Sequence, residues 1–108
     1  SAASDVYKRQ HKLSQLTMQL MEIPGFPGMT VIDCEGFGRE CTEHSQEYKP
    51  FLPKKRVEIF VTDDMVDLIF NTVMSVAHTG KHGDGKVYVL PALEGGRISS
   101  GERGSELA

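Results

Sequence analysis

The sequence predicts an α+β fold: a split β-α-β unit occurring twice, with two helices covering one face of an antiparallel sheet. Two apolar stripes at helical spacing, three β-rich runs, and their order carry that expectation. The order is helix, strand, long loop, strand, helix, strand, with room for one weak strand ahead of the first helix. At 108 residues the chain is sized for one domain with a modest core.

Ser1 to Gln10 begins without an initiator methionine and is polar except for Val6 and Tyr7. It reads as a degraded edge strand, a disordered tail or an artefact of cloning or assembly, and residues 11–108 as the domain proper. Leu13, Leu16, Leu20 and Ile23 define the first helix, with Ser14 as its N-cap and Leu13 and Met18 as a hydrophobic staple. Pro24, Gly25, Pro27 and Gly28 end it in a turn, and Met29 to Ile32 has the β-branched content of a strand that runs out by Gly38. Arg39 to Pro50 is almost wholly polar and has neither strand nor helix periodicity, which describes an exposed loop of the functional kind. Phe51-Leu52-Pro53 anchors the chain again, and Arg56 to Val61 alternates as a half-buried strand does.

Thr62 or Asp63 is expected to cap the second helix, whose positive end suits Asp63 and Asp64. Val66, Ile69, Phe70, Val73 and Ala77 form its apolar stripe, and the two aspartates need no catalytic explanation. Gly80 is expected at its C-cap, Val87 to Leu90 as the last strand, and a polar tail after a turn at Gly95-Gly96. Apolar residues such as Val31 and Val57 would line the uncovered sheet face, which favours an oligomer.

Twelve basic residues against fifteen acidic ones leave a net charge of −3, which argues against nucleic acid as the main partner. No apolar run is long enough for membrane insertion, and the N-terminus has no apolar core of a signal peptide. Cys34 and Cys41 are too close in sequence to read as a disulfide framework, and free thiols suit a cytoplasmic protein.

The stretch Thr79-Gly80-Lys81-His82-Gly83-Asp84-Gly85-Lys86 concentrates three glycines and two lysines between a helix and a strand. Glycines let the backbone present its N–H groups to a ligand, and the lysines add cationic charge, so the loop suits a phosphate. The same composition also serves simply to stop a helix.

Five motifs in order, Gly28-Met29-Thr30-Val31, Gly36-Phe37-Gly38-Arg39, Phe51-Leu52-Pro53-Lys54, the glycine loop ending at Lys86, and Arg97 with Gly101-Glu102-Arg103-Gly104, together resemble the P-II signal-transduction family from about His11 onward. That resemblance implies a ferredoxin-like protomer, a homotrimer, and ATP or ADP bound in clefts between subunits. It implies no enzymatic turnover. The loop at about 39–50 would be the T-loop, which docks on a membrane transporter, an enzyme or a regulator in a shape set by the nucleotide. Thr30 would approach the adenine; Gly36, Gly38 and Arg39 would lie near ribose and phosphates; Gly83, Asp84, Gly85 and Lys86 would cradle the phosphate chain, with Arg97 joining from the C-terminal segment.

The chain departs from the family pattern in three places. Ser99 stands where the family has a second arginine, which removes a charge-assisted contact worth about 1.5–3 kcal/mol. Glu40 replaces the glutamine that helps hold magnesium and 2-oxoglutarate; a carboxylate can ligate Mg2+ but repels a dicarboxylate, while Lys54 keeps the matching half of the effector site. The loop is shorter than in nitrogen-regulating members, and Tyr48 lies only near the position of their modified tyrosine. The Pro24 to Pro27 turn and short loop look more like the divergent branch associated with heavy-metal efflux. That gives the alternative reading, a metal-responsive interaction protein using Cys41 and His44, whose thiolate and imidazole are soft-metal ligands. Cys41, Glu43 and His44, three candidate ligands without a C-x-x-C pair, make that pattern weak.

Overall fold

In the computed structural model, which describes residues 2–36, 51–80, 85–104 and 107, two helices and an antiparallel strand pair make an α+β fold in keeping with a ferredoxin-like sandwich. Helix α1 spans Ala2–Met21, strand β1 Thr30–Gly36 and strand β2 Leu52–Glu58. A single 3-10 turn, Asp63–Met65, leads into helix α2, Val66–Ala77.

The apolar stripes decide how the helices lie. Leu16 and Leu20 of α1 and Ile69 of α2 are buried and form the core, with Leu20 wholly enclosed. Enclosing a leucine of that kind stabilises by about 1.5–3 kcal/mol. Val66, Phe70, Val73 and Ala77 are half-buried along the stripe of α2. Ile23, Phe26 and Met29, leading from α1 into β1, and Ile59 and Val61, leading out of β2, pack on the same core. Lys12 of α1 donates from Nζ to the Val76 carbonyl at 3.2 Å, placing a cation at the negative end of α2.

Several boundaries differ from expectation. The segment expected as an edge strand or tail is instead the first half of α1, which is continuous from Ala2. Ala2, Ala3, Lys8, Arg9 and Gln10 are good helix formers, so propensity extends a helix that the apolar stripe alone would start later. Ser14 is therefore an exposed residue inside the helix and caps nothing. Thr62 does stand at the cap of the 3-10 turn, but its side chain caps no backbone N–H there and its hydroxyl donates to the Asp64 carboxylate. Helix α2 stops because His78 turns extended, with φ −69° and ψ 124°, and Gly80 at φ 81° comes two residues after that C-cap.

The ladder pairs Thr30 with Glu58, Asp33 with Lys55 and Gly36 with Leu52. Both strands thus reach further toward residues 37–50 than their apolar residues suggest. The Asp33–Lys55 ion pair, directly opposite in register, supplies the cross-strand contact that the apolar pattern lacks there. Pro53 is tolerated in β2 because, among the described residues, that strand has a neighbour on one side only.

Val87 to Leu90, expected as the last strand, joins no ladder among the described residues, and Tyr88, Val89 and Leu90 are exposed. β-branched residues favour a strand only where a neighbouring edge offers hydrogen bonds. The expected polar tail is ordered as a hairpin: Gly95 and Gly104 exchange backbone hydrogen bonds of 3.2 and 2.9 Å around a turn at Ile98 to Ser100. The molecule is elongated, with a radius of gyration of 16.4 Å, against about 13 Å for a compact 100-residue domain. Met18, Met21, Phe51, Phe60, Leu93 and Ile98 are all exposed, large apolar side chains of the kind that subunit contacts cover.

Candidate functional site

Strand β1 carries two of the expected site residues at its opposite ends. Thr30 begins it and Gly36 ends it, and six steps of strand separate them by roughly 20 Å. At the Gly36 end the register sets Cys34 opposite Lys54 and Gly36 opposite Leu52, so Gly36 and Lys54 are diagonal neighbours. A Cβ on Gly36 would stand 2.9 Å from Lys54 Cγ and 3.2 Å from Cε. The lysine stem therefore lies across the glycine, which has to lack a side chain for that path to exist. The Cys34 thiol donates to the Lys54 carbonyl at 3.5 Å and is otherwise exposed.

Of the glycine loop, Gly85 and Lys86 are described. Gly85 takes φ 94°, a left-handed conformation that a residue with a Cβ avoids. A Cβ there would meet nothing within 4 Å, so glycine is required by the backbone and not by crowding. Lys86 follows it, exposed, with no ion-pair partner among the described residues. An ammonium without a described carboxylate partner, beside a left-handed glycine, fits a phosphate group well.

Arg97 sits in the C-terminal hairpin. Its backbone N–H donates to the Glu102 carbonyl at 2.9 Å, and its own carbonyl accepts from the Gly101 N–H at 2.8 Å. Its guanidinium donates from Nη1 to Glu102 Oε1 at 3.0 Å, an ion pair whose side chains are about half exposed. Ser100 Oγ accepts from the Glu102 N–H at 3.2 Å. Across the hairpin, Arg103 Nε donates to Glu94 Oε1. That hydrogen bond holds the Glu94 carboxyl below the ordinary carboxylate range and pushes the Arg103 guanidinium up. A shallow concavity of ≈ 380 Å³ is lined by Gly95, Arg97, Ile98, Gly101, Glu102 and Arg103 among others. Ser99, in the turn, is neutral and adds no second cation beside Arg97.

The structure thus brings Gly36 together with Lys54, and Gly85 stands next to Lys86. Arg97 it pairs with Glu102, a partner that motif reading passed over. Paired opposite charges, Arg97 with Glu102 inside Gly95 to Gly104 and Glu94 with Arg103 across that bracket, were the available signal for the hairpin. Gly38, Arg39, Glu40, Cys41, His44, Tyr48, Gly83 and Asp84 lie outside the described residues, as does the loop at about 39–50. Among the described residues no three of His, Cys, Asp and Glu are grouped to hold a metal ion, and no helix is long and apolar enough to cross a membrane.

Comparison with known proteins bears on the whole arrangement. A family model described as nitrogen regulatory protein P-II matches residues 6–102. The nitrogen regulatory protein P-II of Klebsiella oxytoca is 40% identical over 104 residues, covering 91% of each chain. That of Azospirillum brasilense is 37% identical over 101 residues and 88% of each, and the nitrogen regulatory protein P-II 1 of Escherichia coli K12 is 39% identical over 104 residues and 91% of each.

Proposed function

The chain belongs to the nitrogen regulatory protein P-II family, whose members are regulators and not enzymes, and on that premise we propose that it is a nucleotide-responsive switch. ATP or ADP binds in clefts between the subunits of a homotrimer, and the nucleotide biases the loop at about 39–50 toward or away from a partner protein in the cytoplasm. No chemical step is needed. Binding free energy that differs between two loop conformations is sufficient to move the population.

The observation that carries this reading is Lys86, an exposed ammonium unpaired among the described residues and directly following a left-handed glycine. A cation that no described carboxylate neutralises has no such contact to give up on turning to a polyphosphate, and donors on fixed backbone lose little entropy when they bind. Two further features support the inter-subunit arrangement. Thr30 and Gly36 are too far apart along β1 to grip the same end of one nucleotide, a separation that suits a strand whose two ends face different clefts. The exposed apolar side chains and the run Val87 to Leu90, which joins no ladder among the described residues, offer the surface that trimer formation would bury.

Lys54, lying over Gly36 at the base of the loop, is the residue through which 2-oxoglutarate would be sensed, and Glu40 is a candidate Mg2+ ligand beside the phosphates. Isothermal titration of the purified protein with ATP and ADP, with and without Mg2+ and 2-oxoglutarate, tests the proposal, together with its mass in solution by light scattering. Saturable nucleotide binding by a trimer is the expected result. A monomer that binds neither nucleotide overturns it.

A further inference from the structure

We infer that Glu102 is a selectivity determinant of the nucleotide site: its carboxylate is a built-in competitor of phosphate for the Arg97 guanidinium, and it penalises ligands in proportion to their negative charge. The inference rests on the nucleotide-binding reading and goes beyond it, since it assigns a residue that opposes binding.

The geometry of the C-terminal hairpin points to this. Arg97 and Glu102 are joined twice, once through the backbone at 2.9 Å and once through side chains at 3.0 Å. The backbone bond, with the Gly101 N–H to Arg97 carbonyl bond and the Gly95–Gly104 pair closing the hairpin, holds the two backbones close whether or not a ligand is present, so Glu102, displaced from Nη1, stays within a side chain's length of the guanidinium. The side-chain contact itself uses one of five guanidinium donors and is about half exposed, so it is weak and exchangeable. An arriving phosphate can therefore take Arg97, but it does so beside a carboxylate that has lost its cation.

Charge counting strengthens the case. Between Glu94 and Gly104 the hairpin carries Glu94, Arg97, Glu102 and Arg103, two of each sign, and each arginine is matched to one of the glutamates. With Ser99 contributing no charge, the hairpin offers an anion no net attraction. Lys86 supplies attraction from elsewhere, and Glu102 sets how much of it is cancelled. Because the repulsion scales with ligand charge, triphosphate is disfavoured more than monophosphate. Mg2+, by neutralising part of the phosphate charge, relieves the penalty.

The test compares the unaltered trimer with Glu102→Gln and Glu94→Gln, titrating ATP, ADP, AMP and inorganic tripolyphosphate by calorimetry at constant ionic strength, with and without Mg2+. Glutamine keeps the shape and can still accept a hydrogen bond from Arg97. Glu102→Gln is expected to tighten Mg2+-free ATP and tripolyphosphate by about three- to tenfold, AMP by less than twofold, and Mg2+-ATP by an intermediate factor. Glu94→Gln, an equal change of charge on the other ion pair, is expected to alter ATP affinity less than Glu102→Gln does. Unchanged or weaker binding of Mg2+-free ATP by Glu102→Gln overturns the inference and makes Glu102 a positioning residue for Arg97. Weakening confined to Mg2+-ATP overturns it too, by making Glu102 a ligand of the metal. If ATP binds and Arg97→Ala weakens it while Glu102→Gln has no effect, this inference alone fails; if no form binds nucleotide, the function proposed above fails with it.

Discussion

Replacing Lys86 with alanine should weaken ATP and ADP binding by about ten- to a hundredfold while leaving the fold intact. The size follows from where the residue stands. Lys86 is exposed and has no ion-pair partner among the described residues, so no described carboxylate already satisfies its charge. A hydrogen bond to a charged partner is worth about 1.5–3 kcal/mol, and about 1.4 kcal/mol corresponds to a tenfold change in Kd. Exposure to solvent and salt draws the expectation to the lower part of that range. Removing an exposed side chain with no such partner should change unfolding free energy by no more than about 0.5 kcal/mol. Calorimetry at fixed salt gives the affinity, and urea unfolding of the same preparation reports stability. A loss smaller than threefold in a folded trimer whose parent binds ATP would refute the placement of Lys86 on the phosphates.

Three other perturbations follow from described contacts. Leu20→Ala removes the wholly enclosed side chain found among the described residues and should cost about 2–5 kcal/mol in urea unfolding; a cost below about 1 kcal/mol would show that the two helices are not held together there. Gly36→Ala drives a methyl group into the Lys54 stem at 2.9 Å; swinging that side chain aside should cost about 0.5–1.5 kcal/mol and remove any 2-oxoglutarate effect on nucleotide binding, and an unaltered effect would detach Lys54 from the effector. The Glu94 carboxyl is held below the ordinary value by Arg103, so its contribution to hairpin order is complete above the ordinary carboxylate range and disappears as pH falls through the lowered value. An NMR titration should show the Glu94 midpoint below that of an exposed glutamate in the unaltered protein and returning to the ordinary range in Arg103→Gln; coincident midpoints would remove the Glu94–Arg103 contact.

Residues differ in how openly they declare their structure. Helix α2 is legible because Val66, Ile69, Phe70, Val73 and Ala77 repeat at the helical period, and all five are at least half-buried. The start of α1 is not, since Ala2 to Gln10 are helical through propensity and carry no apolar stripe. Strand positions were displaced for a related reason: Asp33, Cys34, Lys54 and Lys55 do not look like a strand, and it is their pairing partners, unknown to a linear reading, that make them one. Val87 to Leu90 shows the converse, a run with strand composition that joins no ladder among the described residues. At the candidate site, Gly85 and Lys86 were legible from the loop motif. The Arg97–Glu102 pair was not, because motif matching credits a residue with its role toward a ligand and is silent on what it touches inside its own chain.

The strand pair has a consequence for solubility. Among the described residues β1 and β2 have only each other, so each turns one row of backbone groups outward, the condition under which chains zip into fibrils. Asp33 on β1 and Lys54, Lys55 and Arg56 on β2 then act as gatekeepers, since a stray strand could add to either rim only by stripping water from charged side chains. The ion pair that fixes the register inside one molecule thereby also discourages haphazard stacking of many, and exchanging Asp33 and Lys55 together for valine should leave the pairing intact while making the protein precipitate.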